Sequence, residues 1–200
     1  MQVQRIDVDV TFLGQWLVAN AIGLVVGGML AITGFVVGEA LGADEFTINS
    51  VQTATATAAG GAVFGLFLGG GPSLAQYLVL RRYLDGIDRY VPATAVAAAL
   101  TLAVGLPLGF WLIPWEVNAL VIALFFGLLP GMVMGLVQGR ILRSEVSWAA
   151  MWAFISAIAF TAGILVVALI SAEGQEIVAF GAGGLTMGLI SGVYLWQQLR

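Results

Sequence analysis

Between Trp148 and Ser171 the chain reads WAAMWAFISAIAFTAGILVVALIS, 24 residues without a charged side chain. A helix needs about 20 such residues to cross the hydrocarbon of a bilayer. Five other segments are similarly long and apolar: Leu13–Ala40, with Glu39 at its end, Thr53–Leu80, Pro92–Pro114, Asn118–Gly139 and Ile177–Gln197. The composition agrees, at 60% hydrophobic and 9% charged, with a mean hydropathy of +1.03. Soluble domains carry about 25% charged residues. Hydrocarbon offers no water to backbone N–H and C=O groups, so each segment must be a helix. The polar–apolar alternation of a barrel strand is missing. The expectation is an all-α polytopic integral membrane protein, a single membrane domain over residues 1–200 with six transmembrane helices.

Six crossings put both termini on one side, and the charges test that count. All seven basic residues are arginine, namely Arg5, Arg81, Arg82, Arg89, Arg140, Arg143 and Arg200, and all fall on the side of the termini. Asp7, Asp9, Asp85, Asp88 and Glu145 share that side, which leaves it at +2. The opposite side carries only Glu39, Asp44, Glu45, Glu116, Glu173 and Glu176, at −6, and the two sides give the net charge of −4. Excess arginine marks the cytoplasmic face, so both termini are expected there, in a bacterial inner membrane. Trp16, Tyr77, Tyr83, Tyr90, Trp148, Trp152, Tyr194 and Trp196 cluster near the arginine face, and Trp111 and Trp115 near the acidic one, as expected for rings seated at headgroup level. The opening MQVQRIDVDVT has one Arg against two Asp and does not read as a signal peptide.

The second, fourth and sixth segments share an ending. GGGPSLAQYLVLR, GMVMGLVQGRILR and GLISGVYLWQQLR superpose at offsets of 62 and 57 residues. Gly65, Gly127 and Gly184 then coincide, as do Gly69, Gly131 and Gly188, then Ser73, Gly135 and Gly192, then Arg81, Arg143 and Arg200. Gln76 matches Gln138, and the third copy has Leu195. The odd segments match less well, opening on Trp16, Tyr90 and Trp148, with Ala19 beside Ala93 and Gly23 beside Ala97. The unit is therefore a helical hairpin, over about 16–82, 90–143 and 148–200. Two crossings per unit keep successive copies in one orientation, which predicts three tandem parallel repeats about an axis along the membrane normal. Small residues every four positions line one helix face and let backbones approach, so Gly65, Gly69, Gly127, Gly131, Gly135, Gly184, Gly188 and Gly192 are expected at helix contacts.

The chemistry of catalysis is missing. The chain has no Cys and no His, which removes thiolate nucleophiles, disulfides and the commonest metal ligand and general base. No nucleophile elbow, zinc-helix motif or phosphate loop is present. No ionisable residue falls in the middle of a segment, whereas ion-coupled carriers usually keep one there. The net charge gives no basis for nucleic-acid binding. No enzymatic activity, catalytic residue, metal site or cofactor is expected, although the apolar outer faces suit lipid or pigment. The polar groups inside the segments are mild: Asn20, Thr53, Thr55, Thr57, Thr101, Ser156, Thr161, Thr186 and Ser191. Most of the hydroxyls can bond carbonyls of their own helix. Asn20 is expected to bond a neighbouring helix or line a cavity. Pro72, Pro107 and Pro130 are expected to kink their helices.

Gln76 and Gln138 precede their arginines by five residues, about 7.5 Å of helix rise. Together with Arg81, Arg143 and Arg200 they are the candidate binding residues, a polar ring at the cytoplasmic mouth. Helix-to-helix hydrogen bonding of the glutamines and phosphate anchoring by the arginines are the structural alternatives.

An opening aromatic, a Gly-x3-Gly stripe and a Gln-x4-Arg ending in tandem, seen in QYLVLRR, QGRILR and WQQLR with Trp16, Tyr90 and Trp148, resemble a group of uncharacterised small bacterial multi-pass proteins. Similar sequences occur in cyanobacteria and green filamentous bacteria. The resemblance spans most of the chain and implies a six-helix membrane protein without implying an activity. The third copy departs from the pattern by losing Gln. Two functions fit. One is a structural or interaction protein, an accessory or scaffold subunit that contacts lipids and other membrane subunits. The other is a channel or uniporter for a small uncharged or anionic solute.

Overall fold

The computed structural model describes residues 9–43, 49–112, 118–143, 149–171 and 174–199. They form helices α1 (Val10–Ala43), α2 (Asn49–Leu80), α3 (Tyr90–Leu112), α4 (Ala119–Ile141), α5 (Ala149–Ser171) and α6 (Glu176–Leu199). Each is long and apolar enough to cross a membrane, and no strand occurs among the described residues. Asp9 caps α1, its carboxylate accepting from Thr11 N at 2.9 Å and Thr11 Oγ1 at 2.8 Å. Asn118 caps α4 through Val121 N at 3.1 Å. Gly86 and Gly174, with φ of 72° and 74°, take the left-handed conformation in the α2–α3 and α5–α6 turns.

The helices close into a ring in chain order. Each packs on its neighbours before and after it, α6 packs on α1, and helices across the ring barely touch. The α1–α2 seam is the most extensive and the α3–α4 seam the least. Both ends of the described chain lie together, with Phe12 of α1 and Leu199 of α6 in one buried cluster with Leu84 and Ile87 of the α2–α3 turn. Arg81, Arg82 and Arg89 flank that turn, which makes this the arginine end of the ring.

The glycine rows explain the ring. A Cβ on Gly65 would sit 2.5 Å from the Ala98 carbonyl oxygen of α3, and one on Gly127 2.5 Å from Thr161 Cα of α5. One on Gly184 would meet the Asn20–Ala21 backbone of α1. Each even-numbered helix thus turns its row onto the helix that follows it, and the third row closes the circle. Gly69, Gly131 and Gly188 continue the three seams against Ala98, Ala157 and Leu17, while Gly135 and Gly192 face Ala153 and Trp16. The α1–α2 seam has a second set of close approaches that the repeat did not reveal. Gly23 and Gly27 face Gly71 and Pro72, and Gly38 faces Gly60.

These contacts also correct the sequence register of the odd-numbered helices. Positions facing equivalent glycines are Trp16, Thr94 and Ser156 at one level and Asn20, Ala98 and Phe160 one turn deeper. One turn toward the arginine end, Phe12, Tyr90 and Trp152 correspond, all within one buried cluster. The register of Trp16 with Tyr90, and with it Ala19 with Ala93 and Gly23 with Ala97, is off by one turn, because aromatic identity was matched instead of the face that meets glycine. Trp148 lies outside the described residues, as do Arg5 and Arg200. The headgroup seat expected for three rings is also corrected: Trp16, Tyr90 and Trp152 are buried inside the ring at 0%, 0% and 1% exposure. Trp111, near the acidic end, is 81% exposed, as an interfacial ring should be.

Of the three prolines, only Pro130 accompanies a change in winding. It has no N–H to give the carbonyl one turn back, and the preceding Leu124–Leu128 turn widens to π-helix. α2 and α3 run through Pro72 and Pro107 as single helices.

Candidate functional site

All six helices contribute to one cavity on the ring axis. Its polar lining is Asn20 of α1, Ser73 and Gln76 of α2, Thr94 of α3, Gln138 of α4, Trp152 and Ser156 of α5, and Ser191 of α6. About 40 Å³ of it is open to the centres of water-sized molecules, against roughly 10–15 Å³ for a single water. No ionisable acid or base lines it.

Two apolar layers bound this chamber. Toward the arginine end lie Phe12, Leu80, Leu142, Leu195 and Leu199 with Leu84 and Ile87. Toward the acidic end lie Leu24, Leu68, Leu102, Phe160 and Phe180. Leu80, Leu142 and Leu199 immediately precede Arg81, Arg143 and Arg200, so the repeated ending is Leu-Arg, with Leu buried and Arg81 and Arg143 exposed. Where the mouth was expected lies a layer of buried leucines. The glutamines lie beneath it, and Arg81 and Arg143 do not line the chamber.

Hydrogen bonds fix the orientation of every amide here. The Trp16 carbonyl can only accept, so the Asn20 atom 2.8 Å from it is Nδ2. Asn20 Oδ1 must then accept, and Gln76 Nε2 donates to it at 2.8 Å. That leaves Gln76 Oε1 to accept from the Tyr90 hydroxyl at 2.8 Å. The chain continues through Trp16 Nε1, which donates to Ser191 Oγ at 3.1 Å, and Ser191 Oγ, which donates to the Met187 carbonyl at 2.7 Å. One network thereby links α3, α2, α1 and α6.

On the other side the network is incomplete. Trp152 Nε1 donates to Gln138 Oε1 at 3.2 Å. Indole only donates, so the oxygen assignment is forced and Nε2 is left over. Gln138 is 7% exposed. No hydrogen bond from its Nε2 is made among the described residues, and the amide opens on the chamber. The register gives the reason. Asn20 completes Gln76 from the preceding helix, and the corresponding residue before Gln138 is Ala98, which has nothing to offer. In the third sector Leu195, Phe12 and Phe160 replace the whole polar set.

Of the residues singled out in the sequence, the structure brings Gln76, Gln138, Asn20, Ser156 and Ser191 to the chamber. Thr101 and Thr186 bond carbonyls of their own helices at 2.6 and 3.0 Å. Thr161 Oγ1, facing Gly127, is fully buried without a hydrogen-bond partner among the described residues. Sequence reasoning missed Thr94 and the leucine layer, and it read Ser73 only as a small residue of the repeated stripe. The shared Leu-Arg ending was the available signal for that layer. No protein-family model, curated protein or solved structure matches the chain.

Proposed function

We propose that this protein binds a small, uncharged, hydrogen-bonding solute in the axial chamber and lets it pass along the ring axis. The observation that carries the reading is the polar cavity shared by all six helices, onto which the Gln138 amide opens with no hydrogen bond from its Nε2 among the described residues. A bound solute or water would supply the acceptor for that N–H. The neutral lining selects against ions, because nothing in it offsets the loss of their hydration. The apolar layers act as gates, so passage requires the leucine layer and the Phe160–Phe180 layer to part in turn. In this reading the arginine end faces the cytoplasm of a bacterial inner membrane, following the positive-inside bias, and the activity is non-enzymatic.

Stopped-flow light scattering on proteoliposomes tests it with water, glycerol and urea. Shrinkage or re-swelling faster than in empty vesicles is expected for at least one of the three. Rates equal to empty vesicles for all three contradict the proposal.

One observation favours a second reading, an accessory or scaffold subunit. The loosest seam, α3–α4, opens to the membrane as an apolar cleft of about 440 Å³ lined by Leu100, Val104, Leu108, Leu124 and Leu128. It suits a transmembrane helix of a partner subunit. Purification from native membranes checks this: a stable partner supports it, and a lone monomer counts against it.

A further inference from the structure

A second groove lies on the outside of the ring, away from the chamber and independent of the solute reading. It runs between α1 and α2 and is lined by Thr11, Gly14, Gln15 and Ile22 on one side, and by Leu78 and Arg82 on the other. It holds about 610 Å³. Gly14 opens it, since a Cβ there would meet nothing within 4 Å. From Thr11 to Ile22 the helix rises about 16 Å at 1.5 Å per residue. That is close to the depth of one leaflet, half of a hydrocarbon core of about 30 Å.

The two ends of the groove differ in chemistry. The deep end is Val18, Ile22 and Leu78, which are 55%, 57% and 42% exposed. In hydrocarbon, water cannot fill such a space, so an apolar chain must. The shallow end carries Arg82, whose Nη1 donates to Gln15 Oε1 at only 3.4 Å, with exposed Arg81 beside it. The Thr11 hydroxyl is already taken by Asp9, which leaves Arg82 as the cation for an incoming anion. No charged residue is among the described residues that line the α3–α4 cleft. An apolar slot one leaflet deep with a guanidinium at headgroup level matches a phospholipid, acyl chain in the slot and phosphate at the arginine. We infer that the α1–α2 groove is a binding site for one anionic phospholipid, with Arg82 selecting the headgroup.

Native mass spectrometry of the detergent-solubilised full chain tests this, with phosphatidylglycerol and phosphatidylcholine as probes. Wild type is expected to bind one phosphatidylglycerol about fivefold more tightly than phosphatidylcholine, the size of one arginine–lipid charge interaction. Arg82→Gln should erase the preference and keep residual binding of both lipids. Gly14→Trp, which fills the open end of the slot, should abolish both. Inorganic phosphate at millimolar concentration should leave the lipid bound, and displacement by it would reduce the site to a bare anion contact and overturn the proposal. So would an unchanged preference in Arg82→Gln, or a dimer that Gly14→Trp dissociates, since the groove would then be a protein interface. Arg82 is exposed at the end of the ring, so Arg82→Gln keeps the fold and the test stays decisive if Gly14→Trp does not fold.

Discussion

The chamber has two glutamine corners that look alike in the sequence and differ in the folded protein. Gln76 is held by Asn20 on the helix before it and Tyr90 on the helix after it. Among the described residues Gln138 is held by Trp152 alone, because Ala98 stands where Asn20 would be. The first corner is finished by the protein, and the second leaves a donor for something else. Equivalent positions in a ring can thus divide labour, one stabilising the bundle and the other remaining available to a ligand.

Removing the glutamines one at a time is the strongest way to break this comparison. Gln76→Leu strands both Asn20 Oδ1 and the Tyr90 hydroxyl. A cost of about 2 kcal/mol is expected from two unmade buried bonds, read as a lowered midpoint of thermal unfolding in detergent. Asn20→Ala turns the first corner into a copy of the second, freeing Gln76 Nε2 toward the chamber. It should cost about 1 kcal/mol and leave the bundle folded. Gln138→Leu strands only Trp152 Nε1. Its cost should stay near 1 kcal/mol, one unmade buried bond in place of two, while solute passage falls to the level of empty vesicles. Equal destabilisation by the two Gln→Leu variants would remove the distinction between the corners.

The smallest effect lies outside the chamber and should be the same in every variant. Hydrogen bonding from Thr11, then from the Phe12 and Thr11 amides, holds the Asp9 carboxyl below its ordinary value of 3.8. A lowered carboxyl stabilises the fold above its unfolded pKa, and that contribution is lost as pH falls through the folded value. Acid titration of wild type, Gln76→Leu and Gln138→Leu should therefore give parallel curves, shifted only by the differences already present at neutral pH. Divergent curves would mean that a titrating group enters the chamber.

Much of this architecture was legible because each feature rests on a one-dimensional signal. Span lengths follow from bilayer thickness, and seams from glycine at helical spacing. What stayed hidden depends on which face a residue presents. Trp16 and Tyr90 read alike as aromatics at helix starts, yet contacts put Trp16 in register with Thr94 and Phe12 in register with Tyr90. The arginines drew the functional reading because charge is conspicuous in an apolar chain. Leu80, Leu142 and Leu199 did not stand out among so many leucines, although they form the layer above the glutamines. The partner of Gln76 was not readable either, since Asn20 lies 56 residues away on a helix whose register was one turn off.

The central claim is that polar space lies inside the ring at the level of Ser156, while the opposite face of α5 meets lipid. The chain has no cysteine, so single thiols report cleanly. Ser156→Cys and Ile158→Cys place thiols at nearly one depth on the chamber face and on the lipid-exposed face of the same helix. Thiolate formation needs water, so iodoacetamide, itself a small neutral amide, should alkylate the chamber thiol and leave the lipid-facing one unreacted, and urea in excess should slow the chamber reaction. Equal rates at the two positions, or a Ser156→Cys thiol that stays inert in the folded protein, would contradict the account.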